Sequence, residues 1–157
     1  MAVEAAEFKK AMGRFASGVT VVTVEDEGIR SGLTVSAFCS LSLEPPLVLI
    51  CIDRKVKSHD AIAAAGHFAV NVLAEDQQEV STRFASRVEN KFESVATCPG
   101  ILGDPIIEGT LATVECRIVD RLPGGDHTIF VGEVERARVG DAGPLLYFTG
   151  AYRRVSG

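Results

Sequence analysis

Two short segments of this 157-residue chain carry side chains suited to ligand chemistry. The first runs Asp53-Arg54-Lys55-Val56-Lys57-Ser58-His59-Asp60 and leads into Ala61 to Ala65, closed by Gly66. The alanine stretch reads as a helix, with Ser58 as its N-cap and Asp60 favouring its first turn. Backbone N–H groups at a helix start, the helix dipole and adjacent cations together attract a phosphate. The same composition describes a solvated charged loop, and the segment alone leaves both readings open. The second segment, Gly32 to Leu43, alternates apolar and hydroxyl residues. Leu33, Val35, Ala37, Cys39, Leu41 and Leu43 point one way; Thr34, Ser36, Phe38, Ser40 and Ser42 point the other. A water-facing strand normally carries Lys, Glu or Arg. Hydroxyls around one aromatic either meet another subunit or line a polar ligand whose planar ring approaches the backbone closely.

Three further signals are sparser. His127 follows Gly124-Gly125-Asp126, a turn composition in which a histidine serves structure or chemistry. Asn71 sits between two valines, where its amide either completes a backbone network or recognises a ligand. Neither His59 nor His67 receives a role. Cys39, Cys51, Cys98 and Cys116 form no CxxC pair and lie mostly in apolar runs, so neither a disulfide nor a metal site is expected.

Composition bounds the partners. A net charge of −5 makes nucleic acid an unfavoured ligand, although a local basic patch for one phosphate is compatible with it. The longest apolar run, Leu47 to Ile52, is far short of the roughly 20 residues that span a bilayer. Glu4 and Glu7 near the N-terminus argue against a signal peptide. With 46% hydrophobic and 24% charged residues, the expectation is one soluble, cytoplasmic domain over residues 1–157.

The elements that must hold these residues follow from periodicity. Residues 5–16 place Phe8, Met12 and Phe15 on one helical face. Val19 to Val24 reads as a strand, followed by a turn to Gly28. Gly32 to Leu43 reads as one long strand, and Pro45-Pro46 as a turn. Leu47 to Ile52 is expected to be a fully buried strand. Phe68 to Leu73 is a further strand, and residues 76–87 a helix with Val80, Phe84 and Val88 on its buried stripe. Lys91 to Ile107 is loop-rich, and Leu111 to Val119, Thr128 to Val139 and Leu145 to Tyr152 read as three strands. Helices do not alternate with strands as βαβ units require, so the pattern favours a mainly β, mostly antiparallel barrel with short helices. GxGxxG and GxxxxGK[ST] are both absent, so a nucleotide would be held in some other way.

Taken together, several blocks resemble the flavin reductase-like family, small NAD(P)H-dependent reductases that supply reduced flavin to two-component monooxygenases. The blocks are FASGVTVVT from Phe15, GLTVSAFCSLSLEPPLVLICID from Gly32, FAVNVL from Phe68, SxxFA at Ser81 to Ala85, Lys91-Phe92, GDHTIFVGEV from Gly125 and PLLYFTGAY from Pro144. Their order and spacing span nearly the whole chain. The resemblance implies an antiparallel split β-barrel that binds FMN or FAD, uses NADH or NADPH, and forms a homodimer. It implies that the isoalloxazine packs on the strand from Thr34 to Leu41, Ser40 included, with backbone near Ser36 and Ala37 at its polar edge. The phosphate end would lie toward Ile52, Asp53, Lys57 and Ser58. Asn71, Ser81, Arg83 and Phe84 would complete the flavin site, with Tyr152 and Arg153 near the dinucleotide. His127 would orient the nicotinamide, held by Asp126, and no essential general acid or base is expected. The alternatives are an FMN-bound oxidase or reductase acting on another substrate, and a non-catalytic flavin-binding protein.

Overall fold

The computed structural model describes all 157 residues. Helix α1 (Ala5–Met12) precedes strands β1 (Ser17–Gly18), β2 (Thr20–Asp26), β3 (Ile29–Val35), β4 (Phe38–Ser42) and β5 (Leu47–Asp53). Helix α2 (Lys57–Ala65), β6 (His67–Val72) and helix α3 (Gln78–Ala85) follow. The chain continues through β7 (Thr97–Pro99), β8 (Pro105–Ile107), β9 (Ala112–Gly124), β10 (His127–Val139), β11 (Leu145–Phe148) and β12 (Ala151–Arg154). The protein is mainly β with three short helices, and all strand pairs are antiparallel. No helix is long and apolar enough to cross a membrane.

The main sheet has seven strands in the order β3-β2-β6-β9-β10-β5-β4. β3 and β4 are therefore its two edges, yet only Ser36 and Ala37 separate them in the chain. Edges of a flat seven-stranded sheet would stand about 28 Å apart at the usual strand spacing. Two linking residues reach at most about 11 Å. The sheet must curl until its edges approach each other at this corner. Its concave side is filled by Val22, Val24, Ile50, Ile52, Phe68 and Phe130, with Ile62 of α2 entering the same cluster. A second cluster, including Val21, Leu73, Phe84 and Leu145, lies under α3.

The corner overturns the reading of Gly32 to Leu43 as one alternating strand. Val35 is buried, Ser36 and Ala37 are exposed, and Phe38 then packs on the first core cluster. The two exposed residues invert the alternation, so Cys39, Leu41 and Leu43 face outward rather than inward, Leu43 being 93% exposed. Leu47–Asp53 is not buried throughout: Val48, Ile50 and Ile52 are buried, while Leu47, Leu49 and Cys51 are partly open on the outer face. The expected strand Leu145 to Tyr152 is a hairpin, because Thr149 and Gly150 both take positive φ, 50° and 77°, as a tight two-residue turn requires. β9 runs on to Gly124, so the loop before His127 shrinks to Gly125-Asp126, with Gly125 at φ 65°.

Two helices also differ from expectation. α1 ends at Met12 and buries none of its residues. It is tied to the body where Thr149 N–H donates to Gly13 O (2.9 Å), leaving Phe8, Met12 and Phe15 exposed. α3 stops at Ala85, which leaves Val88 beyond the helix and exposed, whereas Phe84 is buried.

Candidate functional site

α2 begins four residues earlier than its alanines suggest, and this reassigns Ser58. Val56 is the N-cap and has no side-chain hydrogen bond to the helix start. Ser58 lies inside the first turn, buried, and is not the cap. Its Oγ donates to Gly32 O (3.3 Å) and lies 2.9 Å from Ser31 Oγ, which fastens the helix start to β3. The first turn keeps N–H groups that no intrahelical carbonyl can reach. Exposed Arg54, Lys55 and Lys57 surround it, and Asp53 Oδ1 accepts from Lys55 N–H (2.9 Å) to shape the approach.

A fourth cation joins this end, and it lay unassigned in the sequence. Lys91 Nζ donates to Gly32 O (3.1 Å) and to Phe84 O (2.9 Å). It thus shares the Gly32 carbonyl with Ser58. Partial burial pushes its ammonium below its ordinary range. An ammonium has three donors, and two are spent on these carbonyls. Gly32 permits the arrangement, since a Cβ there would stand 2.9 Å from Phe84 Cε1. The sequence marks Lys91 only through the Lys91-Phe92 block.

The β3–β4 corner supplies a different kind of contact. Ser36 and Ala37 are exposed, and no backbone carbonyl of the chain accepts from either N–H. Their carbonyls are occupied instead: Phe38 N–H donates to Ser36 O (2.9 Å) and Cys51 N–H to Ala37 O (3.0 Å). Two free donors beside small side chains can meet the carbonyl edge of a flat ring.

His127 opens β10 directly opposite Asp53 at the end of β5, which brings it to the mouth of the basic loop. Its Nδ1 lies 2.6 Å from Asp126 Oδ1, and its side chain is 40% exposed. The histidine hydrogen bond and charge hold the Asp126 carboxyl below its ordinary range. Arg54 N–H donates to Asp126 O (3.1 Å), so the basic loop and the His127 turn are directly joined.

The remaining expected site residues separate into groups. Thr34, Ser81 and Tyr152 are brought together, with Thr34 Oγ1 donating to Ser81 O (2.6 Å) and Ser81 Oγ 2.7 Å from Tyr152 OH. Arg83 is turned toward its own loop, where Nε donates to Lys91 O (2.8 Å). Arg153 is exposed on β12 beside this group, and Ser40 and Leu41 are exposed along edge strand β4. Ile52 and Phe84 are core residues with 1% exposure, and Asn71 has none. The Asn71 amide donates to Val21 O (2.9 Å) and Thr23 Oγ1 (3.1 Å) and accepts from Ile107 N–H (2.9 Å). It completes a backbone network, the first of its two sequence readings.

Comparison with known proteins bears on this arrangement. Residues 12–156 match the family described as Flavin reductase like domain. The chain is 43% identical over 150 residues to the reductase component of 4-nitrophenol 4-monooxygenase/4-nitrocatechol 2-monooxygenase from Rhodococcus opacus, covering 96% of this chain and 80% of that one. It is 44% identical over 149 residues to the FMN reductase (NADH) SmoA of Agrobacterium fabrum, covering 95% and 85%. The structure of Streptomyces globisporus NADH:FAD oxidoreductase SgcE6 in complex with NAD and FAD fragments superposes with a TM-score of 0.93 at 38% identity, covering 96% of this chain and 92% of that one.

Proposed function

Because the chain belongs to the flavin reductase-like domain family, we propose that it is an NADH-dependent flavin reductase that releases reduced FMN or FAD to a partner monooxygenase. The observation that carries this reading is a convergence. An uncapped helix start ringed by cations, a corner with two free N–H donors, and His127 opposite Asp53 all border one stretch of the curled sheet. That donor set fits a flavin phosphate at one end and a flavin carbonyl edge at the other.

The bound flavin supplies the hydride-accepting chemistry, which side chains cannot perform. The chain's own residues bind and orient. Lys57 and Lys91 attract the phosphate toward the first turn of α2, and Ser58 holds that turn on β3. The Ser36 and Ala37 N–H groups would donate to the carbonyl edge of a bound flavin and favour negative charge there. His127, oriented by Asp126, would hydrogen-bond the nicotinamide carboxamide and so orient the dinucleotide. No residue is assigned as an essential acid or base. Tyr152 and Arg153 flank the dinucleotide side, with Thr34 and Ser81 fixing Tyr152.

The finer architecture belongs to the same reading. The two-residue link between opposite sheet edges supports a split β-barrel occupying residues 1–157 as one domain. The uncovered apolar face of α1 and the open edge of β4 support a homodimer. Four free thiols support a reducing, cytoplasmic setting. The test is anaerobic titration with NADH in the presence of FMN, FAD or riboflavin. Bleaching of the flavin band, with NADH consumption scaling with added free flavin, is the expected result. An unbleached flavin would leave only a binding protein, and turnover indifferent to added flavin would point to a bound-flavin oxidase or reductase.

A further inference from the structure

Resting on the site just proposed, we infer that His59 is a positioning residue that couples occupancy of the phosphate turn to the placement of His127. His59 lies in the first turn of α2 with its side chain only 13% exposed. Its Nδ1 is 3.0 Å from Asp60 Oδ1 and its Nε2 is 2.8 Å from Thr128 Oγ1. A carboxylate oxygen only accepts, so in the neutral ring the proton sits on Nδ1 and Nε2 accepts from the Thr128 hydroxyl. The ring packs against Phe130, with centroids 5.4 Å apart. Thr128 is the neighbour of His127 on β10.

The first turn of α2 is thus fastened on two sides. Ser58 ties it to β3, and His59 ties it to β10 one residue from the nicotinamide-facing histidine. The Arg54 N–H bond to Asp126 O joins the same two segments through the backbone. A phosphate drawn onto the turn fixes its position, and the His59–Thr128 bond passes that constraint to the start of β10. The nicotinamide then meets His127 already in place, which lowers the ordering cost of its binding. A flavin without a phosphate adds no further constraint to the turn and forgoes this gain.

The experiment compares the Michaelis constant for NADH with saturating FMN and with saturating riboflavin. In the unmodified protein it is expected to be about threefold to tenfold lower with FMN, the span that one intramolecular hydrogen bond sustains. His59→Asn, whose amide is too short to reach Thr128, should bring that ratio to one. His59→Gln, whose amide extends to the Nε2 position, should restore it. Thr128→Val removes the hydroxyl with little change of shape and should also bring the ratio to one, independently of whether the histidine variants fold well. A ratio of one in the unmodified protein, or an unchanged ratio in His59→Asn, overturns the inference. Failure of the underlying site would look different: FMN and riboflavin would bind equally well, and Lys57→Glu would leave FMN affinity unchanged.

Discussion

Replacing Lys91 with methionine removes the one cation of the phosphate end that is held in place by two bonds. Its Nζ donates to Gly32 O and Phe84 O, and none of the chain's ion pairs includes it. Its charge is thus uncompensated by a carboxylate and available to an anion. A phosphate charge seated roughly 6 Å away would gain about 3 kcal/mol at an effective dielectric constant of about 20. Full salt screening over a Debye length of roughly 8 Å would cut this to about 1.3 kcal/mol, so the net value falls between about 1.3 and 3 kcal/mol. FMN should therefore bind about ten- to hundredfold more weakly to Lys91→Met, while riboflavin binds within about threefold of its original affinity. The assay is equilibrium dialysis of both flavins at low and high salt, and the salt dependence for FMN should flatten in the variant. Equal FMN affinity in the two proteins would refute the electrostatic reasoning. The same substitution has a stability signature. The folded ammonium has a pKa below its ordinary 10.5, so the unfolded chain binds that proton more tightly. Stability of the unmodified protein then rises with pH from the lowered pKa up to 10.5, an increment Lys91→Met lacks.

His127→Ala should raise the Michaelis constant for NADH about tenfold and lower turnover, with FMN affinity within about twofold, as checked by steady-state kinetics beside flavin binding. Asp104, fully buried, accepts from Glu25 N–H (2.9 Å) and pairs with His67 Nδ1, yet burial outweighs these partners and raises its carboxyl above 3.8. The protonated form is thus favoured by folding, and this group's contribution to stability falls as pH rises from 3.8 through the raised value. Asp104→Asn should abolish that slope in urea titrations across acidic pH without loss of stability at neutrality, whereas Asp104→Ala should cost about 2–3 kcal/mol. Gly32→Ala would press its Cβ to 2.9 Å from Phe84 and 3.1 Å from Val22 O, and should destabilise the fold by about 1–3 kcal/mol in chemical denaturation.

The basic loop and the strands were legible because their signals are local. Arg54, Lys55 and Lys57 are contiguous, and β-branched runs such as Val19 to Val24 specify strands without outside help. The loop's role was not local, because the helix start depends on which residue is the last to stay extended. That residue is Val56, which displaces Ser58 from the cap into a contact with β3. The inversion at Ser36-Ala37 was hidden for a similar reason. Alternation assumes one strand in one sheet position, whereas here consecutive halves occupy opposite edges. Lys91 and His59 gain their roles from Gly32 and Thr128, distant in sequence and unmarked by any motif. Asn71 was legible as one of two possibilities, and only its three partners distinguish them.

The corner at Ser36-Ala37 also bears on the order in which the chain folds. The β9–β10 hairpin and the β2–β3 hairpin need only local closure and can form early. β3 and β4 can be seated together only when the five strands between them are already in register, so the corner is the closing event of the curled sheet. Loop-closure entropy is therefore spent last at the place where the flavin ring is proposed to lie. A ligand that bridges this corner and the first turn of α2 adds its binding energy to the final step, slowing unfolding more than it speeds folding. Flavin in this chain would act as a kinetic latch as well as a substrate.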